Sequence, residues 1–206
     1  CTRTSPYYQT IFPAFLAKVT LGGCPAFLGL FDGVAADWLS AGPCGDVTVA
    51  GAVFREFGVP PATAGAPRQV ATGDYGDGWV GRFDGSGKLR AATYSGGRFE
   101  AFVADSQGAV YFGTRDSVMK WIPGNQQFSF TAPIRGATSL SANSTGSVAF
   151  AADGSEGQPT TPGAFQNKYN GPWDLYVGRL DQLTGKVQTA TYVPIFGPTS
   201  SQFTPA

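Results

Sequence analysis

The 206 residues carry 14 basic and 14 acidic side chains and no histidine, a formal net charge of zero. That balance excludes binding driven by nucleic-acid phosphates, and the missing imidazole excludes Ser-His-Asp and Cys-His catalysis and every histidine-based metal site. With 29 glycines and 15 prolines, few stretches are long enough for a helix; Val, Thr, Phe and Tyr in short runs favour strands, and no run approaches a membrane span.

Residues 1–14, with Pro6, Tyr7, Tyr8 and Pro13, read as an extended lead-in. A hairpin is expected over 15–31, turning at Gly22-Gly23. A second pair of strands follows at 36–39 and 46–50, around Gly42-Pro43. The stretch 54–77 contains Pro60, Pro61 and Pro67 and reads as a long surface loop, either a binding loop or an inert insertion, with the inert reading favoured. Strand rhythm resumes with a hairpin over 79–94 across Asp84-Gly85-Ser86-Gly87. Next come an inner pair (102–105 with 109–112), a hairpin over 118–134 and a further inner pair (139–142 with 147–151). A loop at 160–172 leads into a final hairpin over 175–192.

Two of these hairpins repeat one another. Residues 80–94 read VGRFDGSGKLRAATY and 177–192 read VGRLDQLTGKVQTATY. Lys18, Arg82 and Lys120 lie 27, 26 and 26 residues before the inner-turn glycines Gly45, Gly108 and Gly146, so two independent markers keep step while loop lengths vary. A constant core with variable loops is what stacked supersecondary units produce. Each unit holds four short antiparallel strands, the makings of a propeller blade. The fold class expected is therefore all-β: four-stranded antiparallel blades forming a partial or small propeller. The half blade is expected at 15–31 and the whole blades at about 36–94, 101–134 and 138–194, in a single domain or propeller fragment.

Candidate chemistry is sparse. Cys24 and Cys44 lie on neighbouring elements and are a candidate disulfide. Cys1 is a candidate lipidation site, because a chain starting at cysteine resembles a mature bacterial lipoprotein. Asp74, Asp77 and Asp84 are weak candidate oxygen ligands for calcium, in a spacing that matches no dedicated calcium loop. Asp153 and Glu156 form a carboxylate pair of the type glycosidases use. Lys18, Arg82, Lys120 and Arg179 recur in register and read as a solvent-facing position. Trp38, Trp79, Trp121 and Trp173 are candidate interface aromatics, with packing between blades as the favoured reading. No glycine-rich turn precedes a helix, so none is a phosphate loop, and no cofactor is expected.

The runs Thr161-Pro162-Gly163-Ala164-Phe165-Gln166, Asp174-Leu175-Tyr176-Val177-Gly178-Arg179-Leu180 and Ala190-Thr191-Tyr192 resemble the bacterial SBBP β-propeller repeat, and 104–114 (ADSQGAVYFGT) resembles its inner-strand pattern. The resemblance is close over 160–192, good over 79–114, degenerate over 118–155 and faint before residue 60. It implies a bacterial β-propeller in which the inner pair of strands precedes the outer pair. The function expected is that of a non-catalytic exported module for protein interaction or scaffolding, in the periplasm, at the outer membrane surface or outside the cell. A protein partner completing the propeller edge is expected, and membrane contact only through a lipid on Cys1. A lectin-like carbohydrate binder is the alternative, and a glycosidase or lyase the third reading.

Overall fold

The computed structural model describes residues 14–195 except 20, 23–24, 43–44 and 73–74. Cys1, Cys24, Cys44 and Asp74 lie outside the described residues. The described chain is all-β, with a single 3₁₀ turn (Arg55–Phe57) and no α-helix.

Fourteen strands are described. β1 (Ala14–Val19) and β2 (Pro25–Phe31) form a two-stranded hairpin. Sheet I runs β3 (Val34–Ala41), β4 (Val47–Phe54), β5 (Tyr75–Phe83), β6 (Leu89–Tyr94). Sheet II runs β7 (Ala101–Ala104), β8 (Val110–Gly113), β9 (Val118–Trp121), β10 (Phe130–Ala132). Sheet III runs β11 (Ala137–Ala142), β12 (Ser147–Asp153), β13 (Asp174–Asp181), β14 (Val187–Pro194). Each sheet is an antiparallel meander in which sequence neighbours are spatial neighbours. Among the described residues no sheet closes on itself.

The turns explain this economy. Asp84, Asp105, Asn143 and Asp181 each accept, on Oδ1, backbone N–H groups two to four residues ahead at 2.8–3.1 Å, which folds the chain back without help from elsewhere. Gly108 follows Asp105 at φ 81°, a left-handed conformation that side-chain-bearing residues rarely adopt. The repeated Val-Gly-Arg has a different cause. The Trp79 ring lies across Gly81, where a Cβ would come within 2.1 Å of it; at Gly178 the Phe150 ring and the Thr189 carbonyl leave no more room.

Side-chain alternation sends opposite faces of each sheet to opposite neighbours. On sheet II, Val110, Phe112, Met119 and Trp121 pack with Ala50, Val80 and Ala91 of sheet I. Tyr111, Val118, Phe130 and Ala132 pack instead with Val148, Phe150, Tyr176 and Leu180 of sheet III. Leu16 and Phe27 of the first hairpin pack with Val49, Trp79 and Phe83 on sheet I. The core is thus three layers between four successive β units. Each enclosed large apolar side chain contributes roughly 1.5–3 kcal/mol. The first strands follow one another in space, β1 beside β3, β3 beside β7 and β7 beside β11.

Within the stretch 54–77, residues 75–77 already belong to β5 and the rest is more than a surface excursion. Its residues 63–68 run along the outer strand β6. Thr63 N donates to Ala92 O at 3.0 Å, Ala92 N donates to Thr63 Oγ1 at 3.1 Å, and Arg68 N donates to Thr93 Oγ1 at 3.2 Å. Residues 161–166 do the same to β14. Thr161 N donates to Ala190 O at 3.1 Å, Ala190 N donates to Thr161 Oγ1 at 3.0 Å, and Gln166 N donates to Thr191 Oγ1 at 3.0 Å. These loops cover sheet edges that would otherwise present free N–H and C=O groups.

Candidate functional site: the open face of the third sheet

Sheets I and III superpose by register. Trp79 pairs with Tyr94 as Tyr176 pairs with Tyr192, so Thr48, Ala50, Val80, Arg82, Ala91 and Thr93 correspond to Ala149, Ala151, Val177, Arg179, Thr189 and Thr191. On sheet I, five of these six are 6% exposed or less because sheet II covers them. On sheet III, Ala149, Arg179 and Thr189 are exposed and Ala151, Val177 and Thr191 half-buried. Walled by Phe165 of the edge loop, all of these but Ala151 line a concavity of about 540 Å³.

The recurring cations give this face its polarity. Three of the four, Lys18, Arg82 and Lys120, reach the turns of the next sheet. A Cβ on Gly45 would lie 3.5 Å from Lys18 Nζ, and one on Gly108 would lie 3.1 Å from an Arg82 guanidinium nitrogen. Lys120 Nζ donates to Gln182 O at 2.8 Å and sits 5.2 Å from the centre of the Tyr111 ring. The solvent-facing reading is therefore corrected for two members. Lys120 is only 7% exposed, and Arg82 is half-buried in a 2.7 Å ion pair with Asp46. Arg179 occupies the same position with no following sheet among the described residues.

Of the candidate calcium ligands, the two described ones, Asp77 and Asp84, are not brought together. Asp77 and Asp84 flank opposite ends of β5, roughly 20 Å apart at strand rise. Asp77, 2% exposed, is engaged within the protein. Its Oδ2 accepts from Thr72 N (2.8 Å) and Thr72 Oγ1 (3.2 Å), and its Oδ1 from Gly96 N (2.9 Å) and Ser95 Oγ (3.3 Å). Asp174 is its counterpart in sheet III, accepting from Gln166 Nε2 and Asn170 N at 2.7 Å. Both carboxylates tie an edge loop to its sheet. Asp84 closes its turn and pairs with Arg90 at 2.6 Å; these bonds hold its carboxyl well below the usual range.

The tryptophans divide. Trp79 and Trp121 are 1% and 0% exposed and cannot offer their rings to a ligand, which corrects their candidacy as interface residues. Trp38 packs edge-on against Phe99 at 6.1 Å. Trp173, at 70% exposure, remains available.

The sequence reading missed the buried tyrosines. Tyr176 Oη donates to Pro159 O at 2.5 Å, Tyr192 Oη to Ser155 O at 2.7 Å and Tyr94 Oη to Pro60 O, each pinning the start of an edge loop. The signal was the aromatic ending both copies of Ala-Thr-Tyr. Burial pushes the Tyr176 phenol up to about 12, and raises Tyr94, Tyr111 and Tyr192. A phenol that ionises near 10 in the unfolded chain and near 12 in the fold stabilises the fold below pH 10. That contribution disappears as pH climbs through 10 to 12. Alkaline titration followed at 295 nm is therefore expected to show a late tyrosinate phase coincident with loss of the near-ultraviolet dichroism. Complete ionisation near pH 10 with the fold intact would contradict it.

A smaller notch of about 300 Å³ opens where sheet II has only the short connection 114–117 between β8 and β9. Arg115, Asp116, Arg135 and Asp153 line it. Ser155 Oγ in its wall is the one buried side-chain polar atom among the described residues without a hydrogen-bond partner. Glu156 lines the adjoining recess with Arg135.

No family description and no curated protein matches this sequence. Among solved structures, the chain is similar to a protein of unknown function from Bacteroides caccae, with 12% identity and a TM-score of 0.44 over 86% of this chain and 74% of that one.

Proposed function

We propose that this chain is a β-propeller, or part of one, of the SBBP-like type, serving as a non-catalytic, exported module for protein interaction or scaffolding, with Cys1 as a candidate lipid anchor. The succession of first strands β3, β7, β11 and the repeated sheet-on-sheet layers support the propeller reading. The non-catalytic reading rests on the absence of histidine from the sequence. The single observation that carries the interaction reading is the open face of sheet III. Positions that the same repeat buries under a following sheet in sheet I have no such sheet over them among the described residues at Ala149, Val177, Arg179 and Thr189. Exposed Trp173 supports carbohydrate binding as the alternative.

The test is assembly size in the producing cells. Wild-type protein is expected to elute in a complex well above its monomer mass, and Val177→Asp to elute alone while keeping the wild-type melting temperature. Val177 is only half-buried, so the new charge stays hydrated. A wild-type protein that elutes alone, or a complex indifferent to Val177→Asp, overturns the reading.

A further inference from the structure

Of the asparagines in the sequence, only Asn170 is followed by glycine. In an Asn-Gly pair no Cβ screens the backbone nitrogen that follows the side-chain amide, and the backbone is free to bring that nitrogen toward the amide carbon. Elsewhere the fold ties the amide down. Asn143, which precedes Ser144, donates from Nδ2 to Ser147 Oγ at 2.9 Å and accepts on Oδ1 from Thr145 N and Ser147 N at 3.0 and 3.1 Å. Asn170 is exposed. Among the described residues neither its side-chain amide nor Gly171 N has a hydrogen-bond partner.

What Asn170 does engage is the anchor of the edge loop. Its backbone N donates to Asp174 Oδ2 at 2.7 Å, and Gln166 Nε2 donates to the same oxygen at 2.7 Å. Asp174 is 6% exposed. In sheet I the corresponding place belongs to Thr72, whose N donates to Asp77 Oδ2 at 2.8 Å and which glycine also follows in the sequence. Both loops thus finish on an N–H bonded to a buried carboxylate and then a glycine, but only the loop of sheet III carries an amide that can cyclise.

We propose that Asn170-Gly171 is a self-modification site, converting through a succinimide to aspartate and isoaspartate, and that the conversion releases the edge loop 161–166 from β14. Gly171 N attacks Asn170 Cγ. The N–Cγ bond forms as Cγ–Nδ2 breaks, and ammonia leaves with the proton that Gly171 N gives up. Water then opens the ring, at Cγ to give aspartate or at the main-chain carbonyl carbon of residue 170 to give isoaspartate. Both products work against the anchor. Aspartate sets a second negative charge beside the Asp174 carboxylate. Isoaspartate routes the main chain through the side-chain carbon and lengthens it next to the N–H that Asp174 holds, which costs that bond its geometry. Phe165 of this loop walls the concavity on sheet III, so an aged chain presents an altered face.

The test is incubation of the full chain at mildly alkaline pH, sampled by peptide mass spectrometry with enzymatic methyl labelling of isoaspartate. In the folded chain Asn170 should lose its amide at least tenfold faster than Asn143. Asn170→Thr, which installs the residue of the sheet I loop, should keep the wild-type melting temperature and show no conversion at this position. Amide exchange at 161–166 should quicken in proportion to the converted fraction of wild-type protein and stay constant in Asn170→Thr over the same incubation. An Asn170 that keeps its amide throughout, conversion no faster than at Asn143, or exchange at 161–166 indifferent to conversion overturns the proposal.

Discussion

Replacing Trp121 by alanine is expected to lower the free energy of unfolding by about 3–5 kcal/mol. The indole is fully buried between sheets I and II, in the layer with Ala50, Val80, Phe99 and Phe112. Its Nε1 donates to Asn125 O at 3.0 Å, so truncation also strips a partner from the β9–β10 turn. The neighbours are anchored in two different sheets and cannot collapse together into the space without shearing the layer. For a chain of this size the melting temperature should fall by roughly 6–20 °C, measured by calorimetry alongside Trp173→Ala. Trp173 is 70% exposed, and its removal should change stability by less than about 0.5 kcal/mol. Equal effects of the two substitutions would mean that the sheets do not bury one another as described.

Asp77→Ala is expected to cost about 2–4 kcal/mol and to release the edge loop 63–72. The carboxylate is the shared acceptor for Thr72 N, Gly96 N, Ser95 Oγ and Thr72 Oγ1. Alanine leaves these donors unpaired around a buried site, and an unsatisfied buried donor carries its full desolvation cost. Amide exchange at 63–68 should quicken, because the bonds of this segment to β6 at Ala92 and Thr93 hold only while its far end is fixed. Asp174→Ala should do the same to 161–166 on β14. Asp84→Ala, which touches only an exposed turn, should leave exchange at 63–68 unchanged. Unaltered exchange in Asp77→Ala would show that the loop is held by its threonine alone.

The two loops also show where sequence reading stops. Pro61-Ala62-Thr63-Ala64-Gly65-Ala66 and Pro159-Thr160-Thr161-Pro162-Gly163-Ala164 share a threonine and a Gly-Ala at matching places. Prolines and alanines in both raise turn propensity and mask that spacing. Only 161–166 carries the SBBP-like pattern, although both loops bond to an outer strand in the same way.

The sequence by itself determined the strands, their hairpins and the four-stranded units. Those follow from local causes: alternation within short runs, Asx residues that fold the chain back over a few residues, and a left-handed glycine at fixed spacing. Only the tertiary structure decided which copies of a repeated position are covered. Val80 and Val177 are the same residue in the same motif, yet one is enclosed by sheet II and the other lies on an open face. Likewise Leu140 is packed and Leu39 exposed, and Lys120 has a carbonyl acceptor in the next sheet while Arg179 has no next sheet among the described residues. Burial between sheets is a property of the neighbour, and no repeat carries information about whether a neighbour follows it.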